Sequence, residues 1–312
     1  MNKTRVAVIG VGSLGQHHAR ILAAMPEVDL VAVVDTKSER AAEIAATRGT
    51  APLTDASALL GRVDAVIIAT PTASHVETAL PFVEAGAAVL VEKPLASSLA
   101  EADRLVEAAA ARGILLATGH TERFNPAVAA ALPLVSGPRF IEVHRLGTFP
   151  DRSLDIDVIF DLMIHDLDVL LAVVGADVTS VEAVGVNVLT PRVDIANARL
   201  RFASGCIANV TASRISRERV RKARFFQHDS YVSIDYAEQE VEAYRLVAAD
   251  GGRPAIQGGR VEVSSDEPLR LELADFVDAV RTGRPPVVTG RDGRAALSLA
   301  TQVSELVSKG AA

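Results

Sequence analysis

The sequence predicts two domains, an α/β domain on a parallel sheet followed by an α+β domain on a large, mostly antiparallel open sheet covered by helices on one face. Three observations lead there. Up to about residue 120, short β-branched runs alternate with Ala/Leu/Glu/Arg stretches at helical spacing, the pattern of a parallel sheet wrapped by helices. Beyond Gly137 strand-like runs follow one another across short polar turns, which favours antiparallel pairing. At 312 residues the chain has room for about two domains, expected over 1–121 and 122–312.

In the first domain, strands are expected at Arg5–Ile9, Leu30–Asp35, Ala65–Ala69, Ala88–Glu92 and Ile114–Thr118. Their near-continuous apolarity suits strands buried on both faces. Between them Leu14–Met25, Ser38–Arg48, Ser74–Ala85 and Ser98–Arg112 carry helical periodicity. The second domain offers strands at Phe140–Thr148, Val178–Leu189, Ile195–Phe202, Cys206–Ser213, Ala223–Gln227, Tyr231–Asp235 and Glu240–Leu246, then helices at Leu269–Thr282 and Gly293–Lys309. Gly283–Pro286 breaks the last two apart.

Composition narrows the function. Hydrophobic residues make up 49% but aromatics only 4%, with no Trp, so the cores must be built from Ala, Val, Leu and Ile. No stretch approaches the ~20 apolar residues of a membrane span, and the opening segment lacks the apolar region of a signal peptide. A single cysteine, Cys206, excludes an internal disulfide, and a cytoplasmic protein is expected. A net charge of −7 disfavours nucleic acid and anionic membrane as partners.

Gly10-Val11-Gly12-Ser13-Leu14-Gly15 directly follows the first strand and opens the first helix, the setting in which G-x-G-x-x-G binds a dinucleotide. Gly10 allows the tight turn, Gly12 lets backbone approach a pyrophosphate, and Gly15 lets helix and strand pack closely. Ser13 and Leu14 lie at the helix N-terminus, whose N–H groups suit an anion. Asp35 ends the second strand, 20 residues after Gly15. A carboxylate there accepts from ribose hydroxyls and repels a 2′-phosphate, so NAD is expected over NADP, a preference softened by Lys37. The alternative is an ordinary glycine turn with Asp35 as a helix cap. Thr70, Pro71 and Thr72 end the next clear strand and are expected to line the same crevice of this Rossmann domain.

At Val91-Glu92-Lys93-Pro94 the sequence begins to resemble the Gfo/Idh/MocA family, whose dinucleotide-binding half carries Glu-Lys-Pro at a strand end. Pro71-Thr72-Ala73-Ser74-His75 upstream and Asp161-Leu162-Met163-Ile164-His165 downstream extend the match along nearly the whole chain. The resemblance implies an NAD-dependent dehydrogenase acting on CH–OH groups. It adds His75, Glu92 and Lys93 to the expected cofactor site and implies no metal. Lys93 itself, held between an apolar strand and a proline, suits orienting a substrate hydroxyl near the nicotinamide. The alternative is a surface lysine paired with Glu92.

Ile156–Val174 is apolar almost all round, yet Asp157, Asp161, His165 and Asp168 recur at helical spacing on one stripe. His165 can accept a proton near neutral pH, and Asp161 one turn earlier can fix its tautomer. Oxidising an alcohol requires a proton acceptor, so Lys93, Asp161 and His165 are the expected catalytic residues, with Asp157 and His165 facing substrate. A structural His–Asp pair, or a metal site from Asp161, His165 and Asp168, are the competing readings.

His120-Thr121-Glu122-Arg123-Phe124-Asn125-Pro126 follows at the exit from the first domain. It resembles family members that oxidise the C3 hydroxyl of UDP-N-acetylglucosamine to a 3-keto nucleotide sugar used for lipid A variants. On that resemblance His120, Arg123 and Asn125 bind substrate, Arg123 suiting a phosphate oxygen. Asn125-Pro126 also reads as a helix cap with proline at the first position. Arg214, Arg217, Arg219, Arg221, Lys222 and Arg224 stand against one acid, Glu218. Such a cluster, Arg217 and Arg219 above all, suits a diphosphate, or else guards a strand edge or forms a seam between subunits. A free polyol such as an inositol is the second substrate reading, and a non-catalytic dinucleotide sensor the third. A homodimer or homotetramer is expected, because an open sheet leaves one face to cover.

Overall fold

The computed structural model describes residues 3–149, 156–248 and 254–310. It divides into two compact units, Met1–Thr121 with Leu269–Leu297, and Glu122–Pro268 with Ser298–Ala312. Leu269–Leu297, expected within the second domain, thus packs with the first. The reason is apolar: Leu269, Leu273, Phe276 and Val277 of one helix join the core formed by Val6, Val8, Leu22, Leu30 and Ile67.

Unit one holds six parallel strands, β1 (Thr4–Ile9), β2 (Val28–Val34), β3 (Ala51–Leu53), β4 (Ala65–Ile68), β5 (Ala88–Glu92) and β6 (Leu116–Gly119). They lie in the order β3-β2-β1-β4-β5-β6. The helices between them are α1 (Gly15–Ala24), α2 (Ser38–Arg48), α3 (His75–Glu84) and α4 (Leu99–Arg112). Strands β4 and β5 are buried throughout, as continuous apolar runs require. The three-residue β3 was not anticipated, being too short to show a pattern. β6 starts at Leu116 and not at Ile114, because Gly113 ends α4 in the left-handed region and the Ile114 N–H is still bonded to the Ala109 carbonyl at 2.9 Å. Strand order reverses between β1 and β4, which opens a crevice at the carboxyl ends of the strands. Two glycines make the turn there possible. Gly10 has φ +84°, and a Cβ on it would lie 2.7 Å from the Ala69 carbonyl oxygen; a Cβ on Gly15 would lie 1.8 Å from the Gly10 oxygen.

Unit two is built on eight strands, β7 (Phe140–Leu146), β8 (Val178–Val186), β9 (Ile195–Phe202), β10 (Ile207–Ser213), β11 (Val220–Phe226), β12 (Ser230–Asp235), β13 (Glu240–Val247) and β14 (Ala255–Val261). Their order is β14-β13-β12-β11-β7-β10-β9-β8, antiparallel except where β10 meets β7. Ile141, Val143, Leu200, Ala208, Val210 and Phe225 are buried on one face, while neighbours in the alternating positions are partly or fully exposed. The helix α5 (Pro126–Ala131) packs on β12 and β13, and a π-helical turn at Ile159–Met163 packs on β10 before α6 (Ile164–Val174) begins. Edge strand β14 escaped expectation because Gly258 and Gly259 interrupt any alternation.

The loop joining β8 to β9 closes on Asp194. This buried carboxylate accepts from the backbone N–H groups of Val188 (2.9 Å), Leu189 (2.6 Å) and Thr190 (2.8 Å), from the Thr190 hydroxyl and from Arg214 Nε at 2.9 Å. Burial alone would push the carboxyl up, but the bonds from Thr190 and the three amides outweigh it and hold it well below the usual range.

Two stability tests follow from these contacts. Gly15→Ala forces a Cβ into a carbonyl oxygen and is expected to cost ~1–3 kcal/mol by urea denaturation, as overpacking does; an unchanged midpoint would show that the turn relaxes. Asp194→Ala removes the carboxylate that neutralises the buried Arg214 and is expected to cost about 3–5 kcal/mol. Because the folded-state value lies below the unfolded value of about 3.9, this stabilisation is complete above that pH and fades as pH falls. The wild-type denaturation midpoint should therefore drop faster below about pH 4 than that of Asp194→Ala.

Candidate active site

In unit one the residues expected to hold the dinucleotide gather at the carboxyl ends of β1, β2, β4 and β5. Gly12, Ser13 and Leu14 are exposed, and a Cβ on Gly12 would meet nothing within 4 Å, so open space lies where a pyrophosphate must approach. No side chain caps the N-terminus of α1 and its first turn carries no acid, which leaves an anion-binding helix end. Asp35 follows β2, its Oδ2 accepting the Val11 N–H at 3.1 Å and its Oδ1 the Lys37 N–H at 3.0 Å. Each oxygen retains a lone pair for a ribose hydroxyl. These residues fit the dinucleotide, which brings hydride-transfer chemistry to the site when bound.

Arg40, on α2, was not anticipated. Its Nε donates to the Val11 carbonyl at 2.8 Å and its Nη2 to Gln16 Oε1 at 2.9 Å, so Asp35 and Arg40 grip the glycine turn from both sides. In the sequence it reads as one more charge on a solvated helix face.

His75 and Glu92, both expected at the cofactor site, are tied into the chain around it. Both are buried. The ring nitrogens of His75 lie 3.0 Å from the Pro94 carbonyl oxygen and 2.9 Å from that of Thr70, and burial pushes the imidazole below its ordinary value. It ties the end of β4 to the cis Lys93–Pro94 peptide. Glu92 bonds His18 and the Lys93 N–H. Thr70, Pro71, Thr72 and Lys93 remain partly or fully exposed around them. His120, expected to touch substrate, is also fully buried.

In unit two the expected polar stripe is broken. Asp157, expected to face substrate, precedes the helix, and its Oδ1 accepts the Val193 N–H at 2.9 Å, which anchors the β8–β9 loop. The π-helical turn then shifts the helical phase between Asp157 and α6. Asp161, within that turn, and His165, in the first turn of α6, are both half-buried; Asp168 is buried with its Oδ1 3.4 Å from Arg123 Nη1. Asn125 caps α5: its Oδ1 accepts the Ala127 N–H, its Nδ2 donates to Glu122 and to the Tyr236 carbonyl, and only 2% of it is exposed. These bonds are those of the capping alternative.

A second network beneath these residues was missed. Arg145, on β7, donates Nε and Nη2 to both oxygens of Asp166 at 2.7 and 2.8 Å and Nη1 to Glu122 at 2.9 Å, with its guanidinium 5.4 Å from the Tyr236 ring centroid. Burial would pull Arg145 down, but the Asp166 and Glu122 charges outweigh it and hold it above its ordinary value. Nothing in the sequence marks Arg145 apart from its place at an inward position of a strand otherwise apolar on that face.

The basic cluster does not form one island. Arg214 is buried against Asp194, Lys222 lies 3.1 Å from Asp235 and Arg224 3.7 Å from Glu142. Arg217 and Arg219 are exposed on the β10–β11 loop, Arg219 reaching Thr148 at 3.5 Å, and Arg221 is exposed at the start of β11. Among the described residues no group of three or more His, Cys, Asp or Glu side chains is disposed to hold a metal ion, and no helix is long and apolar enough to cross a membrane.

Comparison with known proteins gives this geometry a family. Residues 4–120 match the family described as "Oxidoreductase family, NAD-binding Rossmann fold", and residues 138–228 match the Gfo/Idh/MocA C-terminal domain. UDP-N-acetylglucosamine 3-dehydrogenase of Acidithiobacillus ferrooxidans is 41% identical over 96% of each chain, and a solved structure of that enzyme matches with a TM-score of 0.92 over 98% of each. The scyllo-inositol 2-dehydrogenase (NAD(+)) of Bacillus subtilis is 29% identical over 93% of this chain and 90% of its own. The chain belongs to the Gfo/Idh/MocA oxidoreductase family and is an NAD-dependent dehydrogenase of CH–OH groups.

Proposed function

We propose that the chain oxidises the C3 hydroxyl of UDP-N-acetylglucosamine to the 3-keto nucleotide sugar, with NAD as hydride acceptor. The observation that carries this reading is the 41% identity to an enzyme of that activity, spread over 96% of both chains. Similarity to an inositol dehydrogenase is lower, at 29%. Removing hydride from C3 leaves the hydroxyl proton to be taken up, and His165 accepts it, with Asp161 stabilising the imidazolium. Lys93 orients the hydroxyl and lowers its proton affinity through its ammonium charge. The exposed Arg217 and Arg219, with Arg123, supply cations for the diphosphate.

The product serves amino-sugar variants of lipid A and so lipopolysaccharide synthesis, in the cytoplasm. The protein acts as a homodimer or homotetramer. Supporting this is the row Phe140, Phe226, Tyr231 and Tyr244, whose rings follow one another at centroid distances of 5.6, 5.2 and 6.4 Å across four strands, the first three partly buried and Tyr244 exposed.

Initial-rate assays with NAD should show turnover of UDP-N-acetylglucosamine and none of myo-inositol or glucose; the reverse pattern would sink the substrate assignment. Replacing Arg217, Arg219 and Arg221 together by Gln should raise its KM about tenfold or more, as lost charge-assisted bonds do, and an unmoved KM would remove the diphosphate from this loop. Lys93→Ala and His165→Ala should each lower kcat by roughly 10²–10⁴ while calorimetry still registers NAD binding. Turnover retained in both would remove Lys93 and His165 from the proton-transfer step.

A further inference from the structure

We infer that the buried His18–Glu92 pair is a positioning device that holds Lys93 to the dinucleotide-binding helix. His18 lies on α1, one turn in from the helix N-terminus, and none of its surface is exposed. Its Nε2 is 2.6 Å from Glu92 Oε1, while its Nδ1 meets no hydrogen-bond partner among the described residues. The ring proton therefore belongs on Nε2, where it is donated to the carboxylate. The other oxygen of Glu92 accepts the backbone N–H of Lys93 at 3.2 Å. One carboxylate thus joins α1 to the peptide that carries the Lys93 side chain.

The carboxylate has no room to swing. Gly119 on the neighbouring β6 is packed so closely that a Cβ there would lie 3.0 Å from both the Glu92 carboxyl carbon and Oε2. On the far side of Lys93 the Pro94 carbonyl is held by His75, which also reaches Thr70. Lys93 is fixed through both of its chain neighbours, by α1 on one side and α3 on the other. Filling this space with apolar side chains would avoid the desolvation cost of a buried carboxylate. What the polar pair achieves, and an apolar one cannot, is a directed bond to the Lys93 amide. The pair links the helix end that faces the dinucleotide to the placement of the lysine ammonium.

This inference rests on the role proposed for Lys93, and its test separates the two. Glu92→Gln keeps the side-chain volume but offers one acceptor where two donors converge; His18→Met removes the donor; His18→Gln restores a donor at similar reach. Two quantities are measured: kcat and the KM for NAD with UDP-N-acetylglucosamine, and amide hydrogen exchange of the Glu92–Ala96 segment without substrate, with α4 as internal reference. Glu92→Gln and His18→Met should lower kcat by about tenfold to a hundredfold with little change in the KM for NAD, the cost of a misplaced catalytic group. Exchange at Lys93 should quicken by about tenfold while α4 is unaltered. His18→Gln should return both quantities most of the way to wild type. Unchanged Lys93 exchange in both variants, or a KM for NAD that rises in step with the fall in kcat, would overturn the inference. Faster Lys93 exchange beside a Lys93→Ala variant of full activity would uphold the brace and overturn the catalytic reading of Lys93.

Discussion

The Gly10 carbonyl oxygen lies where a side chain on Gly15 would have to begin, 1.8 Å from the place of its Cβ, and that approach governs how α1 leaves β1. Because the helix starts hard against the strand, its uncapped N-terminus stands at the switch point of the sheet, where an anion meets backbone N–H groups. The same placement brings His18 to Glu92, and Glu92 to the Lys93 amide. Asp35 and Arg40 then fasten the turn by its Val11 N–H and C=O. Each contact contributes only about 1–3 kcal/mol net, so no one of them could impose the turn if the backbone clashed. The missing side chains come first, and the hydrogen bonds hold what they permit.

Unit two is organised by buried charge. A fully desolvated ion pair is weak as a source of stability, since desolvation consumes most of the Coulombic gain, yet removal of one partner costs about 3–5 kcal/mol. That asymmetry makes such pairs good locators. Arg145 joins β7 to α6 through Asp166 and to the segment before α5 through Glu122. Asp194 and Arg214 join the β8–β9 loop to the end of β10, and Asp157 ties that loop to the start of the π-helical turn. Asp161 and His165 stand on the segment these ties hold. Their placement follows from salt bridges buried beneath and beside them more than from the helix that carries them.

Most of the architecture was legible because its causes are local. The parallel strands show as apolar runs buried on both faces, the unit-two strands as alternation, and the glycine turn as a spacing set by sterics. What was not legible depended on partners far along the chain. The place of the helix Pro268–Thr282 is decided by which apolar surface Leu269, Leu273, Phe276 and Val277 find, and amphipathic periodicity alone does not say which. The π-helical turn has no periodicity signal, so Asp157 was read onto a stripe with Asp161 and His165 that the backbone does not keep. Asp166 went unread although it adjoins His165, because its significance lies in Arg145, 21 residues earlier. Asn125 shows the converse: its chemistry as a helix cap is local, and the sequence shows it directly.

Charge shows the same division between average and arrangement. A net charge of −7 says little about any one place, and counting six cations within Arg214–Arg224 says more than the structure supports. Arg214, Lys222 and Arg224 each have a carboxylate within 4 Å, so the field they project is largely cancelled where it arises. Arg217, Arg219 and Arg221 stay exposed. Exposed guanidinium groups cost little to keep charged and gain most when a bound anion excludes water around them. Under the proposed function, discrimination between a nucleotide sugar and a neutral polyol falls to these side chains, since a polyol offers nothing that would reward their desolvation. The buried Asp194–Arg214 salt bridge that removes Arg214 from this set also fixes the start of the loop that carries Arg217 and Arg219, so the pairing that weakens the cluster as a count strengthens it as a shaped surface.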